Sequence, residues 1–132
     1  RMAEMEVLEF RERFGMVLED LAAVDAPGVV AEGFGLLPEL VAPHLSSRRQ
    51  AIFLLPTPAT RERNYAARGW RGIDGTSDHD RASRNKLERD ALLTDHVRRT
   101  ARSHGLATVE LDGSQTLDAV IAVVERHFGL AR

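Results

Sequence analysis

The chain has 132 residues, enough for one domain with its own core, and its 43% hydrophobic and 29% charged content is ordinary for a globular protein. A formal net charge of -2 supplies no basic field for nucleic acid or a membrane surface, and the absence of cysteine excludes disulfides and thiolate chemistry. No apolar run is long enough to span a bilayer and the first residues, RMAEMEVLEF, lack the apolar core of a signal peptide, so the expected location is cytoplasmic.

Residues 4–24 carry Val7, Phe10, Phe14, Val17, Leu18, Leu21 and Val24 on one helical face. DAPG at 25–28 breaks that helix. Residues 29–32 then read as a short buried strand, Val29-Val30-Ala31, that ends on Glu32 and turns at Gly33 before a short helix around 37–45. AIFLLP at 51–56 is apolar without alternation, which indicates a strand of a parallel sheet buried on both faces. Thr57 and Pro58 open a helix as N-cap and first helical residue, and Gly69 closes it. Residues 70–80 form a candidate lid loop, rich in Gly and Asp. A long charged helix follows over 80–105, then a third strand at 106–111, the DGSQT turn, and a last helix with Leu117, Val120, Ile121, Val124 and Phe128 on one side.

Strands alternating with helices predict an α/β fold: a three-layer parallel sheet flanked by helices. In such sheets ligands bind beyond the carboxyl ends of the strands. Those ends carry Glu32-Gly33, Pro56-Thr57-Pro58 and Asp112-Gly113-Ser114. Glu32 reads either as a ligand for hydrated Mg²⁺ or a substrate contact, or as a solvated strand end. Seventeen of the eighteen basic residues are Arg, Lys86 being the exception. Codon bias accounts for most of that excess, but guanidinium groups also suit phosphate oxygens. Arg68, Arg84 and Arg89 flank the lid loop and read as phosphate ligands, against a reading of Arg84–Glu88 and Asp95–Arg99 as ordinary helix-surface pairs. At about 100° per residue, Asp90 falls inside the apolar stripe of Leu87, Leu93 and Val97 and so requires a partner, expected to be an arginine. Asp112 and Ser114 either cap the last helix or present their loop to a nucleotide base.

The order of VVAEGFGLLPELV, AIFLLPTPATRERNYAARG, RNKLERD and VELDGSQTLDAVIAVVERHF resembles the carboxyl-terminal two-thirds of a P-loop kinase of the small-molecule or nucleoside monophosphate type, over most of the chain. The resemblance implies a portion of an ATP-dependent phosphotransferase, with ATP and Mg²⁺ as cofactors and a nucleotide or phosphorylated small molecule as partner. Glu32 would serve the metal or substrate, Arg68, Arg84 and Arg89 the phosphates, and Asp112, Gly113 and Ser114 the base side. The family's phosphate loop, G-x-x-x-x-G-K-[ST], does not occur in these residues, and the only lysine lies in the helix after the lid. The implied fold therefore lacks its first, central strand between 29–32 and 51–55. Three expectations follow: the chain continues upstream of Arg1, or another copy fills the gap in a homo-oligomer, and these residues alone do not transfer phosphate. The alternative is a non-catalytic interaction module on a nucleotide-binding scaffold.

Overall fold

The computed structural model describes residues 1–69 and 76–130. In chain order these form α1 (Met2–Ala22), α2 (Pro38–Val41) running into a 3-10 turn at Ala42–His44, a second 3-10 turn at Arg48–Gln50, β1 (Ile52–Pro56), α3 (Pro58–Ala67), α4 (His79–Ser103), β2 (Ala107–Leu111) and α5 (Leu117–Phe128).

Local chemistry explains the boundaries. Thr57 caps α3 by accepting from the Thr60 N–H at 3.3 Å, with Pro58 in the first turn. Asp78 caps α4 through the Arg81 N–H at 2.9 Å, and Thr116 caps α5 through the Ala119 N–H at 3.2 Å. The cap of the last helix is thus Thr116, and Asp112 and Ser114 are left for another role. At its end α4 closes on Gly105, left-handed at φ 64°, and the Leu106 N–H returns to the Ala101 carbonyl at 2.9 Å before β2 begins.

The two strands run parallel and in direct contact, from Ile52 opposite Ala107 to Pro56 opposite Leu111. The parallel pairing read from AIFLLP is present, but burial on both faces is not, since Leu54 is 41% exposed; the expected three-layer sheet with a vacant central place is also absent among the described residues. Residues 28–32 form no strand, and among the described residues the sheet has two strands within a mostly helical chain. The physical reason lies in the segment itself. The 29–32 segment is four residues long and bounded by Gly28 and Gly33, and it gains from extended structure only if a neighbouring strand accepts its backbone groups. None does, and Val30 is left 88% exposed.

The protein is organised around α4, against which α1, α2, α3 and both strands pack. Ala101, fully buried, lets the chain approach closely there, and Leu93, Leu55, Leu106, Phe14 and Leu37 fill the surrounding core. Leu37, 1% exposed, enters just before Pro38 at the start of α2. His96 on α4 donates to Glu39 on α2 at 2.6 Å. α5 is tied down at its carboxyl end, where the backbone carbonyls of Arg126 and His127 accept from the Arg49 guanidinium at 3.4 and 3.3 Å and the His127 ring meets the Ala51 carbonyl at 2.8 Å. Its apolar face is covered only in part: none of its residues is buried, and Leu117 is 75% exposed.

Of the candidate lid, residues 70–75 lie outside the described residues. Thr76 to Asp78 lead into α4, whose first residues are His79 and Asp80.

Candidate functional site

The carboxyl ends of β1 and β2 lie side by side, so the residues that follow each strand must meet. The Thr57 N–H extends the ladder by donating to the Leu111 carbonyl at 3.0 Å. This places the amino terminus of α3 against the Asp112-Gly113-Ser114 turn. Arg63, in the second turn of α3, joins the two: its Nη2 donates to the Asp112 carbonyl at 2.9 Å and to Thr60 Oγ1 at 3.1 Å. The Thr57 hydroxyl in turn donates to Thr60 Oγ1 at 3.0 Å.

Gly113 makes this approach possible. Its φ of 84° belongs to the left-handed region, and a Cβ there would stand 2.0 Å from Arg63 Nη2. Asp112 folds back on its own turn, with Oδ1 accepting from the Ser114 hydroxyl at 2.6 Å and from the Ser114 N–H at 2.8 Å. The Ser114 hydroxyl, and next its N–H, hold the Asp112 carboxyl below its ordinary range. The rim is braced by Gln115, which donates to the Glu110 carbonyl at 3.0 Å, and by a forked contact from Arg98 to the two Glu110 oxygens at 2.7 and 3.2 Å. The edge thus combines a helix amino terminus and a guanidinium, which favour an anionic ligand, with an exposed polar turn whose Asp112 carboxylate opposes one.

Of the residues singled out in the sequence, Asp112, Gly113 and Ser114 belong to this edge. Arg68 does not: it ends α3, roughly 16 Å along the helix axis from Thr57 at 1.5 Å per residue. Its side chain is exposed, as are those of Arg84 and Glu32. None of these three makes an ion pair or side-chain hydrogen bond among the described residues. Arg84 does not pair with Glu88, and Asp95 pairs with Arg98 in place of Arg99. Arg89 is engaged by two carboxylates: it meets Glu6 of α1 at 3.1 Å and Asp90 at 2.7 Å.

The partner required for Asp90 is present. Its carboxylate accepts from Arg89 Nε and Nη2 at 2.9 and 2.7 Å, from Lys86 Nζ at 3.2 Å, and from the Tyr65 hydroxyl. Burial pushes this carboxyl up, but the hydrogen bonds from Tyr65, Arg89 and Lys86 outweigh it and hold the group below its ordinary value. The cluster joins α1, α3 and α4 and works as structure. Arg61, on the same helix as Arg68, is likewise committed: it is 7% exposed and donates to Thr94.

Among the described residues no three His, Asp or Glu side chains gather to hold a metal, and Glu32 lies on an irregular exposed segment. A hydrated Mg²⁺ at Glu32 would therefore have that one carboxylate and draw its other ligands from water and substrate. Among the described residues, no helix is long and apolar enough to cross a membrane.

Thr57 belongs to the strand-end cluster Pro56-Thr57-Pro58 read from the sequence, whereas Thr60 and Arg63, one and two turns further into α3, do not. Proximity was a usable signal for Arg63, because a helix opening directly after a strand must keep its first two turns near that strand's end. No family model, curated protein or solved structure matches the chain.

Proposed function

We propose that the chain is the nucleotide-handling portion of an ATP-dependent small-molecule phosphotransferase, and that Thr57, Arg63 and the 112–114 turn hold the nucleotide. The observation that carries this reading is the Arg63 bridge from the start of α3 to the Asp112 carbonyl across Gly113. A parallel strand pair with a helix amino terminus at its carboxyl edge is a setting in which phosphate groups are bound. In this reading Arg63 and the first turn of α3 face the phosphates, and the exposed 112–114 backbone faces the base. Phosphoryl transfer itself is not assigned to these residues, which contain no G-x-x-x-x-G-K-[ST] segment.

The test is titration of ATP into ¹⁵N-labelled protein, comparing wild type with Arg63→Gln. Amides at 57–63 and 112–115 should move, and the variant should bind about tenfold more weakly, as expected for loss of one charge-assisted contact. Unmoved amides at millimolar ATP, or equal binding by the two proteins, would remove the nucleotide from this edge.

The non-catalytic interaction module draws its support from Val30 and Phe34, 88% and 85% exposed on one short segment. It shares the absence of turnover and differs in requiring no nucleotide.

A further inference from the structure

The amino-terminal edge of the strand pair carries a separate cleft. It has a volume of about 380 Å³ and lies between the 42–48 segment and the turn that joins α4 to β2. Leu45 and Leu106 form an apolar wall, and Ser46, Ser47, Arg48 and His104 supply its polar groups. Among the described residues no carboxylate lines it.

These polar groups differ in how far they are committed. Ser47 is occupied by a capping box: its hydroxyl accepts from the Arg49 N–H at 3.3 Å, and its own N–H donates to Gln50 Oε1 at 2.9 Å. The side chains of Ser46, Arg48 and His104 have no hydrogen bond or ion pair among the described residues. Arg48 is nevertheless placed. Its guanidinium lies against Gly105, left-handed at φ 64°, where a Cβ would stand 2.9 Å from Nη1 and 3.3 Å from Cζ. Glycine at the end of α4 therefore admits a guanidinium to the mouth of a cleft that, among the described residues, contains no acid to neutralise it.

We propose that this cleft binds a small oxyanion ligand, a phosphate ester or carboxylate on a compact apolar body. Arg48, Ser46 and the His104 ring take the charged head, and Leu45 and Leu106 take the body. A guanidinium with five donors and no acceptor among the described residues matches such a head group. A concave site with a few convergent polar groups on an apolar wall is the usual form of a small-molecule site. It is separate from the nucleotide edge, at the other end of strands that span roughly 15 Å at about 3.3 Å per residue.

Phenyl phosphate, benzoate, phenol and inorganic phosphate, titrated separately into ¹⁵N-labelled protein, test the proposal. Phenyl phosphate or benzoate should move the amides of 45–48 and 104–106 and bind more tightly than phenol or inorganic phosphate. The tighter of the two acids identifies the head group as phosphate or carboxylate, and either result supports the site. Arg48→Gln should weaken that binding at least about tenfold, whereas Arg11→Gln, on the exposed surface of α1, should leave it unchanged. Phenol or inorganic phosphate binding as tightly as the tighter of the two acids, or equal losses in the two arginine variants, would each overturn it.

Discussion

Replacing Asp90 by Asn tests the cluster that fixes α3, and with it the proposed nucleotide edge, to the body of the protein. The Asp90 side chain is 14% exposed and accepts four hydrogen bonds from three side chains, two of them cationic. An amide of the same shape removes the charge and turns one of its two ends into a donor, facing either Arg89 or the Tyr65–Lys86 pair. Hydrogen bonds to charged groups contribute about 1.5–3 kcal/mol each. Lys86 and Arg89 are 22% and 27% exposed and regain part of that from water. The expected loss is therefore about 2–3 kcal/mol, a large share of the roughly 5–15 kcal/mol that holds a typical domain folded.

The effect carries a pH signature. Burial raises the Asp90 carboxyl, but its hydrogen bonds bring the folded value below the ordinary 3.8. A depressed carboxyl contributes stability above its unfolded value and loses it as pH falls through the folded one. The gap between wild type and Asp90→Asn should be full at neutral pH, begin to close near 3.8, and shrink further in more acidic solution. Glu39 and Asp112 are also depressed and persist in the variant, so the difference between the two proteins isolates Asp90. Urea unfolding followed by circular dichroism at each pH measures it. A gap below about 0.5 kcal/mol at neutral pH, or one that does not change with pH, would refute the structural role of the cluster.

Two other outcomes are expected. Leu37→Ala, at a side chain 1% exposed, should cost about 2–4 kcal/mol in the same unfolding assay, and a loss under 1 kcal/mol would show that the site collapses around the deletion. These 132 residues alone should release no phosphate from ATP above a no-protein control, because they lack the lysine and backbone cradle of a phosphate loop; release that survives repurification and disappears in Glu32→Gln would contradict this.

The helices were legible because their signals are local. The apolar period of α1, the Thr57-Pro58 start of α3 and the stripe of α4 each lie within a few residues of what they determine. β1 and β2 were legible from apolar content bounded by turns. The strand expected at 29–32 was not formed, because a strand needs a neighbour and nothing in GVVAEG states whether one is present. The site divides in the same way. The partner of Asp90 followed from its angle on the helix, a local property. That Arg89 faces Glu6 from across α1 is tertiary, and so is the burial of Arg61.

In a chain with seventeen arginines, number and loop proximity do not separate a ligand-binding guanidinium from a structural one. Backbone conformation and acceptor supply do. Each end of β2 has a left-handed glycine, Gly105 before it and Gly113 after it, and on each a guanidinium rests where a Cβ would stand. Arg63 at one end is held by a carbonyl and a hydroxyl, with the Asp112 carboxylate near enough to feel its charge. Arg48 at the other has no protein acceptor among the described residues. Arg89, by contrast, sits between two carboxylates and is neutralised. The charge that a glycine admits therefore lies at the two ends of β2, whereas the guanidinium groups of Arg68 and Arg84 stand exposed and unpaired among the described residues, and that of Arg89 is balanced by carboxylates.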